Sequence, residues 1–140
     1  MKNSFVWAMY PKPGDYIKQG GLSMYSTLRY KLESNGTTYE NESLNASVFV
    51  DLITDLELHD FVVLQPSDLV EGSMYLQAAS LEEPGQMVVE TRLQEGENGF
   101  RHYSYTTADT TKVIQWFLDY WGKQELPKLE DWQDITHEMD

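Results

Sequence analysis

Three apolar-rich segments in the centre of the chain predict three consecutive β-strands. They are "SMYLQAAS" (73–80), "MVVETRL" (87–93) and "FRHYSYT" (100–106). In the second segment, Met87, Val89, Thr91 and Leu93 alternate with a more polar set, as expected of a strand with two different faces. The turns between these segments contain glycine and are short, which favours an antiparallel meander. We expect one face of this sheet to be in water and the other to be apolar.

Two further segments have the period of a helix. The more regular one follows the meander, and its apolar stripe consists of Val113, Ile114, Phe117, Leu118 and Trp121. Thr106 and Asp109 have capping-box spacing before it, and Gly122 occupies a C-cap position after it. The other segment covers about residues 46–58, and its apolar positions are Val48, Leu52, Ile53 and Leu56.

The remaining elements are shorter. "FVWAMY" (Phe5–Tyr10) and "FVVLQP" (Phe61–Pro66) are predicted to be strands. Alternating residues before Asn35-Gly36 predict a hairpin with a type I′ turn, and a helix over Ser23–Glu33 is the alternative. In the C-terminal segment, Trp132 is expected to dock on the body of the protein. The sequence therefore predicts one domain (1–140) of the α+β class, an antiparallel meander covered by the C-terminal helix.

Charge is the strongest feature of the composition. The 140 residues include 10 Lys and Arg against 23 Asp and Glu, which gives a net charge of −13. Such a surface repels nucleic acids and anionic membranes and attracts basic proteins, although acidity can also serve only solubility. The chain lacks cysteine and a long apolar run, so we expect a cytoplasmic protein.

No catalytic motif stands out. The three histidines are scattered without the spacing of metal ligands, so we predict neither a metal nor a cofactor. The best candidate for chemistry is a set on neighbouring strands, Glu90, Arg92 and His102, which is able to perform acid–base work. The same set is also typical of the solvated face of an antiparallel sheet. Two interpretations of this set remain open: it forms an enzymatic or small-molecule site, or it belongs to an ordinary charged surface.

Acidic residues fall into three groups. The first helix carries Asp51, Asp55 and Glu57; the sheet turns carry Glu82, Glu83, Glu95 and Glu97; the tail carries Glu125, Glu130, Asp131, Asp134, Glu138 and Asp140. If they share a face, they imitate a polyanion and steer a basic partner. Trp116 lies off the main helical stripe and is the aromatic residue expected to be exposed. The candidate partner-binding residues are therefore Asp51, Asp55, Glu57, Trp116, Glu130, Asp131 and Asp134.

Several short motifs resemble those of small bacterial immunity proteins of polymorphic or contact-dependent toxin systems. They are "Y-x-Q-A-A" (75–79), "V-E-x-R" (89–92), "V-I-x-x-F-x-x-Y" (113–120) and the ending "W-x-D-I" (132–135). The resemblance covers roughly Ser47–Thr136. It implies a non-catalytic protein that binds and occludes a cognate toxin, and it does not identify the toxin. An acidic adaptor domain remains a further alternative.

Overall fold

The computed structural model describes residues 28–139, which form an antiparallel sheet with three α-helices on one face. The sheet has seven strands in the order β2-β1-β3-β4-β5-β6-β7. The strands are β1 (Tyr30–Ser34), β2 (Thr37–Tyr39), β3 (Phe61–Pro66), β4 (Ser73–Ser80), β5 (Met87–Glu95), β6 (Gly99–Thr107) and β7 (Gln133–Asp134); the helices are α1 (Ala46–Thr54), α2 (Leu56–His59) and α3 (Thr110–Gly122). The α+β class, the meander and the covering C-terminal helix are thus confirmed. The predicted strand Phe5–Tyr10 lies outside the described residues.

The hairpin before the first helix is also confirmed. Ser34 pairs with Thr37, and both intervening residues have positive φ, 43° at Asn35 and 91° at Gly36. Two positive φ angles define a type I′ turn, whose twist matches that of the flanking strands. Because Tyr30–Ser34 is a strand, the alternative helix is wrong over the part of it that the structure describes.

The predicted helix at residues 46–58 is two helices rather than one. The side chain of Asn45 caps α1 by accepting from Val48 N. Asp55, with φ −105° and ψ 34°, leaves the helical region, and α2 begins at the next residue. Despite this break, three of the four predicted apolar positions, Leu52, Ile53 and Leu56, are buried; Val48 is only partly buried, and Phe49 is buried beside it.

The covering helix α3 has different caps from those predicted. Thr106 belongs to β6, so no capping box forms, and Asp109 alone caps the helix by accepting from Lys112 N. Gly122 lies inside the helix, and the residue with positive φ beyond it is Gln124. The apolar stripe itself faces the sheet as predicted, with Phe117 fully buried.

Helices α1 and α3 pack on each other and on the sheet through aromatic side chains. The ring of Phe49 lies 6.5 Å from that of Phe117 and 5.2 Å from that of Trp121. Beneath them, the Tyr120 hydroxyl lies 2.8 Å from Ser73 Oγ, which lies 2.7 Å from Thr91 Oγ1. A short chain of hydroxyl groups therefore crosses an otherwise apolar core.

The C-terminal segment docks along β6, as predicted for Trp132. Its indole is buried and packs on the rings of Tyr105 and Trp116, with centroids 5.7 and 5.2 Å away. Beyond it, Asp134 of β7 pairs with Tyr103 of β6, and Ile135 N donates to the carbonyl oxygen of His102. The tail thus covers part of the edge of β6.

The face of the sheet that lies away from the helices differs from expectation. Val63, Met74 and Tyr75 are buried and form a second, smaller apolar cluster. Glu90 and His102 are buried on this face as well, with 4% and 0% of their surface exposed. The prediction that this face is in water is wrong at its centre.

Candidate functional site

The predicted set Glu90, Arg92 and His102 does converge: Glu90 and His102 are buried, and Arg92 lies half-buried beside them. Arg92 Nε donates to His102 Nδ1 over 3.3 Å, and His102 Nε2 lies 3.6 Å from Glu90 Oε1. Gln77 Nε2 donates to the same Glu90 oxygen over 3.2 Å. The Arg92 guanidinium also stacks on Phe100, with 4.0 Å between its Cζ and the ring centroid.

The hydrogen bonds of His102 determine its tautomer. An arginine nitrogen can only donate, so His102 Nδ1 is the acceptor and its hydrogen lies on Nε2, towards Glu90. Both ring nitrogens therefore face protein groups. This geometry favours a role in fixing β5 to β6 over general-base chemistry.

The acidic groups of the sequence form two separate surfaces. At one end of β5, Glu57 Oε2 accepts from Gly85 N over 2.7 Å, which joins α2 to the turn that carries Glu82 and Glu83. We call this the α1–α2 acidic surface; its exposed acids are Asp51, Asp55, Glu57, Glu82 and Glu83. At the other end of β5, roughly 27 Å away, Glu95 and Asp134 share Arg101 as an ion-pair partner, at 3.0 Å each.

The second surface is partly neutralised. Arg101 lies between the two carboxylates and compensates one of their two charges, while Thr136 donates to Asp134 through its hydroxyl and its backbone N–H. These hydrogen bonds from Thr136, together with Arg101, lower the pKa of Asp134 to about 2. Asp134 thus stabilises the docked C-terminal segment through its contacts with Thr136 and Arg101. Glu130 and Asp131 are exposed in the preceding turn.

Trp116, predicted to be exposed, is partly buried. Its ring meets that of Tyr105 edge-on at 5.3 Å and packs against Trp132. Lys112 Nζ lies 5.9 Å above it. The Trp116 indole is therefore part of the contact that docks the C-terminal segment on the body of the protein. Its predicted role at a partner interface stays a prediction.

The most exposed large apolar residue that the structure describes is Leu58, with 79% of its surface accessible. It lies among the acids of the α1–α2 acidic surface, and Val50 on α1 is exposed to 38%. Leu58 also lines a surface pocket of about 270 Å³ between α2 and the turn at 81–86. Single exposed apolar residues are common on protein surfaces, so Leu58 is of interest here because it lies beside both a pocket and a group of exposed carboxylates.

Neither Leu58 nor the extent of this surface was predicted, although part of the signal is in the sequence. No Lys or Arg occurs between Lys31 and Arg92, a stretch that supplies α1, α2, β3, β4 and the turn at 81–86. Such a gap among scattered acids is visible without a structure. Leu58 lies off the predicted apolar stripe of the first helix, but its position beside a pocket depends on the path of the turn at 81–86, which no local pattern gives.

Within residues 28–139, no three His, Asp or Glu side chains are close enough together to bind a metal ion. None of the helices described is both long and apolar enough to cross a membrane. A second surface pocket, of about 480 Å³, is lined by the ion-paired residues Glu95, Arg101 and Asp134 together with Phe100, Thr136 and His137.

The chain was also compared with known proteins. No family model, curated protein or solved structure matches it. The geometry of its own surface therefore carries the functional interpretation.

Proposed function

We propose that this protein is an immunity-type, non-catalytic binding protein that neutralises a basic toxin domain in the bacterial cytoplasm by occluding it. The observation that carries this proposal is the α1–α2 acidic surface, where exposed carboxylates surround the exposed Leu58. The resemblance of several strand and helix motifs to immunity proteins supports the same function.

Electrostatics gives this surface a role in association. Among the described residues, no Lys or Arg forms an ion pair with Asp51, Asp55 or Glu57, whereas Glu95 and Asp134 share Arg101, so the field of the first three acids is less compensated. A field of one sign over such a surface raises the association rate of an oppositely charged protein by roughly 10–10³-fold at low salt. Rim charges act mainly on this rate, and buried apolar contacts act mainly on dissociation.

Occlusion of the toxin depends on the Lys and Arg side chains that a nuclease uses to bind nucleic acid. A nuclease groove is lined with Lys and Arg because it holds phosphates. Carboxylates on a folded surface pair with the same side chains, while an apolar anchor such as Leu58 excludes water from the contact. The bound toxin loses access to its substrate, and no covalent step is needed.

The test is neutralisation by the intact protein. We would co-express it with each toxin-like protein encoded beside its gene and score cell survival, then measure binding of the purified pair at two salt concentrations. We expect protection from one toxin and an association rate that falls steeply with salt. Failure to bind or protect against any of them would sink the proposal and leave an adaptor role.

Two matched triple variants then locate the contact. The first is Asp51→Asn, Asp55→Asn and Glu57→Gln, in which the amide oxygen introduced at position 57 can still accept from Gly85 N. The second changes the tail acids Glu125, Glu130 and Asp131 to their amides and removes the same charge. We expect the first to lower the association rate at low salt by roughly tenfold and the second to lower it much less. The reverse order would move the interface to the tail.

A further inference from the structure

The pocket beside Leu58 combines two kinds of lining. Its buried lining residues are mostly apolar, namely Ile53, Leu56 and Met87, with the polar Ser80 among them; the more accessible lining includes the polar residues Thr54, Asp55, Glu57 and Gln86. At about 270 Å³, it has room for one long side chain and not for a folded segment.

The shape of the pocket is held by the backbone. The 2.7 Å hydrogen bond from Gly85 N to Glu57 Oε2 joins its two walls. Gly85 has φ 80°, a conformation that side chains rarely adopt, so the turn presents its N–H without a steric penalty. On the other wall, Asp55 is the N-cap residue of α2, and its exposed side chain makes no cap hydrogen bond to the helix.

From this geometry we propose that the pocket accepts an arginine side chain of the basic partner. Its aliphatic stem would pack against Leu58 and the apolar interior, and its guanidinium would meet the Asp55 carboxylate at the rim. Arginine matches because it combines an apolar stem with a fixed cationic fork suited to carboxylates. None of the residues that line the pocket is Lys or Arg, so its lining supplies no competing cation of that kind.

This inference deepens the proposed function and rests on it: arginine would be the anchor by which the basic toxin is held. Arginine is among the residues that most often dominate binding energy at interfaces, especially where the side chain is surrounded and dried. The exposed Leu58 provides the apolar cover that such an anchor needs.

The test uses the intact protein, labelled with ¹⁵N, and two probes, N-acetyl-arginine amide and N-acetyl-citrulline amide. Citrulline has nearly the same shape as arginine and no charge. We expect arginine amide at millimolar concentration to shift the backbone amide signals of Leu58, Gly85 and Gln86, with at least fivefold higher apparent affinity than citrulline amide (roughly the weak end of a charge-assisted contact). Equal affinities, or shifts spread over all acidic residues, would overturn the proposal.

Three single variants make the assignment specific. Asp55→Asn should remove the preference for arginine over citrulline, and Leu58→Ser should weaken both probes. Asp131→Asn, on the other acidic surface, is the control and should change neither. A preference that survives Asp55→Asn overturns the proposal.

The two proposals fail separately. If the protein neutralises a toxin and the arginine probe shows no selective binding, the pocket is not the anchor and the immunity function stands. If the probe binds selectively and no toxin is neutralised, the pocket assignment stands and the immunity function is lost.

Discussion

Replacing Phe117 by alanine is expected to destabilise the protein severely. The ring of Phe117 packs between α3, α1 and the sheet, so its removal weakens the contacts among all three. Phe117 is fully buried, with 0% of its surface exposed, and its ring packs against that of Phe49 at 6.5 Å. Phe49 is in turn the ring on which Trp121 packs, so the cavity would open at the centre of the contact between α1 and α3. Truncation of a buried phenylalanine typically costs about 3–5 kcal/mol.

The assay is urea denaturation at neutral pH, followed by circular dichroism and by tryptophan fluorescence. With a slope of about 2 kcal/mol per molar, a loss of about 4 kcal/mol moves the midpoint by about 2 M. Phe117→Leu is the control, since it keeps most of the apolar volume and is expected to cost about 1 kcal/mol. A midpoint for Phe117→Ala within about 0.3 M of the wild type would refute the packing of α3 on the sheet.

Three smaller perturbations test particular contacts. Tyr120→Phe removes the hydroxyl that contacts Ser73 Oγ, so we expect a loss of about 1 kcal/mol in the same denaturation assay. Gly36→Ala places a side chain at φ 91° and should cost about 1–2 kcal/mol, with the loss confined to stability and not to toxin binding. Because the pKa of Asp134 is lowered to about 2, its ionised form stabilises the docked tail above about pH 4, and that contribution is lost as the pH falls towards 2. A carboxyl NMR titration measures this directly, and Thr136→Val should raise the pKa.

Hydrophobic periodicity was sufficient to predict much of this fold. The segments 73–80, 87–93 and 100–106 became strands β4, β5 and β6, and the stripe at Val113 to Trp121 became the covering helix α3. Burial of one side of an element imposes a period of 2 or 3.6 on its sequence, and this signal is local. The Asn35-Gly36 turn was predictable for the same reason, because the φ preferences of those two residues are local.

The candidate surface was predicted only in part. The sequence placed acids on the first helix, and the structure keeps Asp51 and Asp55 exposed there. It gave no means of deciding that Glu57 would meet the turn at Gly85, or that Asp134 would be neutralised by Arg101. Both contacts join residues that are distant along the chain, and which of them meet depends on strand order and register.

The sequence by itself determined the α+β class, the order of the main elements, the acidity of the chain and its lack of a recognisable catalytic motif, since all of these depend on composition and short-range pattern. Only the tertiary structure decided that Glu90 and His102 are buried together, because alternation along one strand cannot say whether its polar face is in water. It alone also decided that Leu58 is exposed beside a pocket. The pocket depends on the path of the turn at 81–86, which meets α2 only in the folded chain, and burial is a property of the surroundings rather than of the residue.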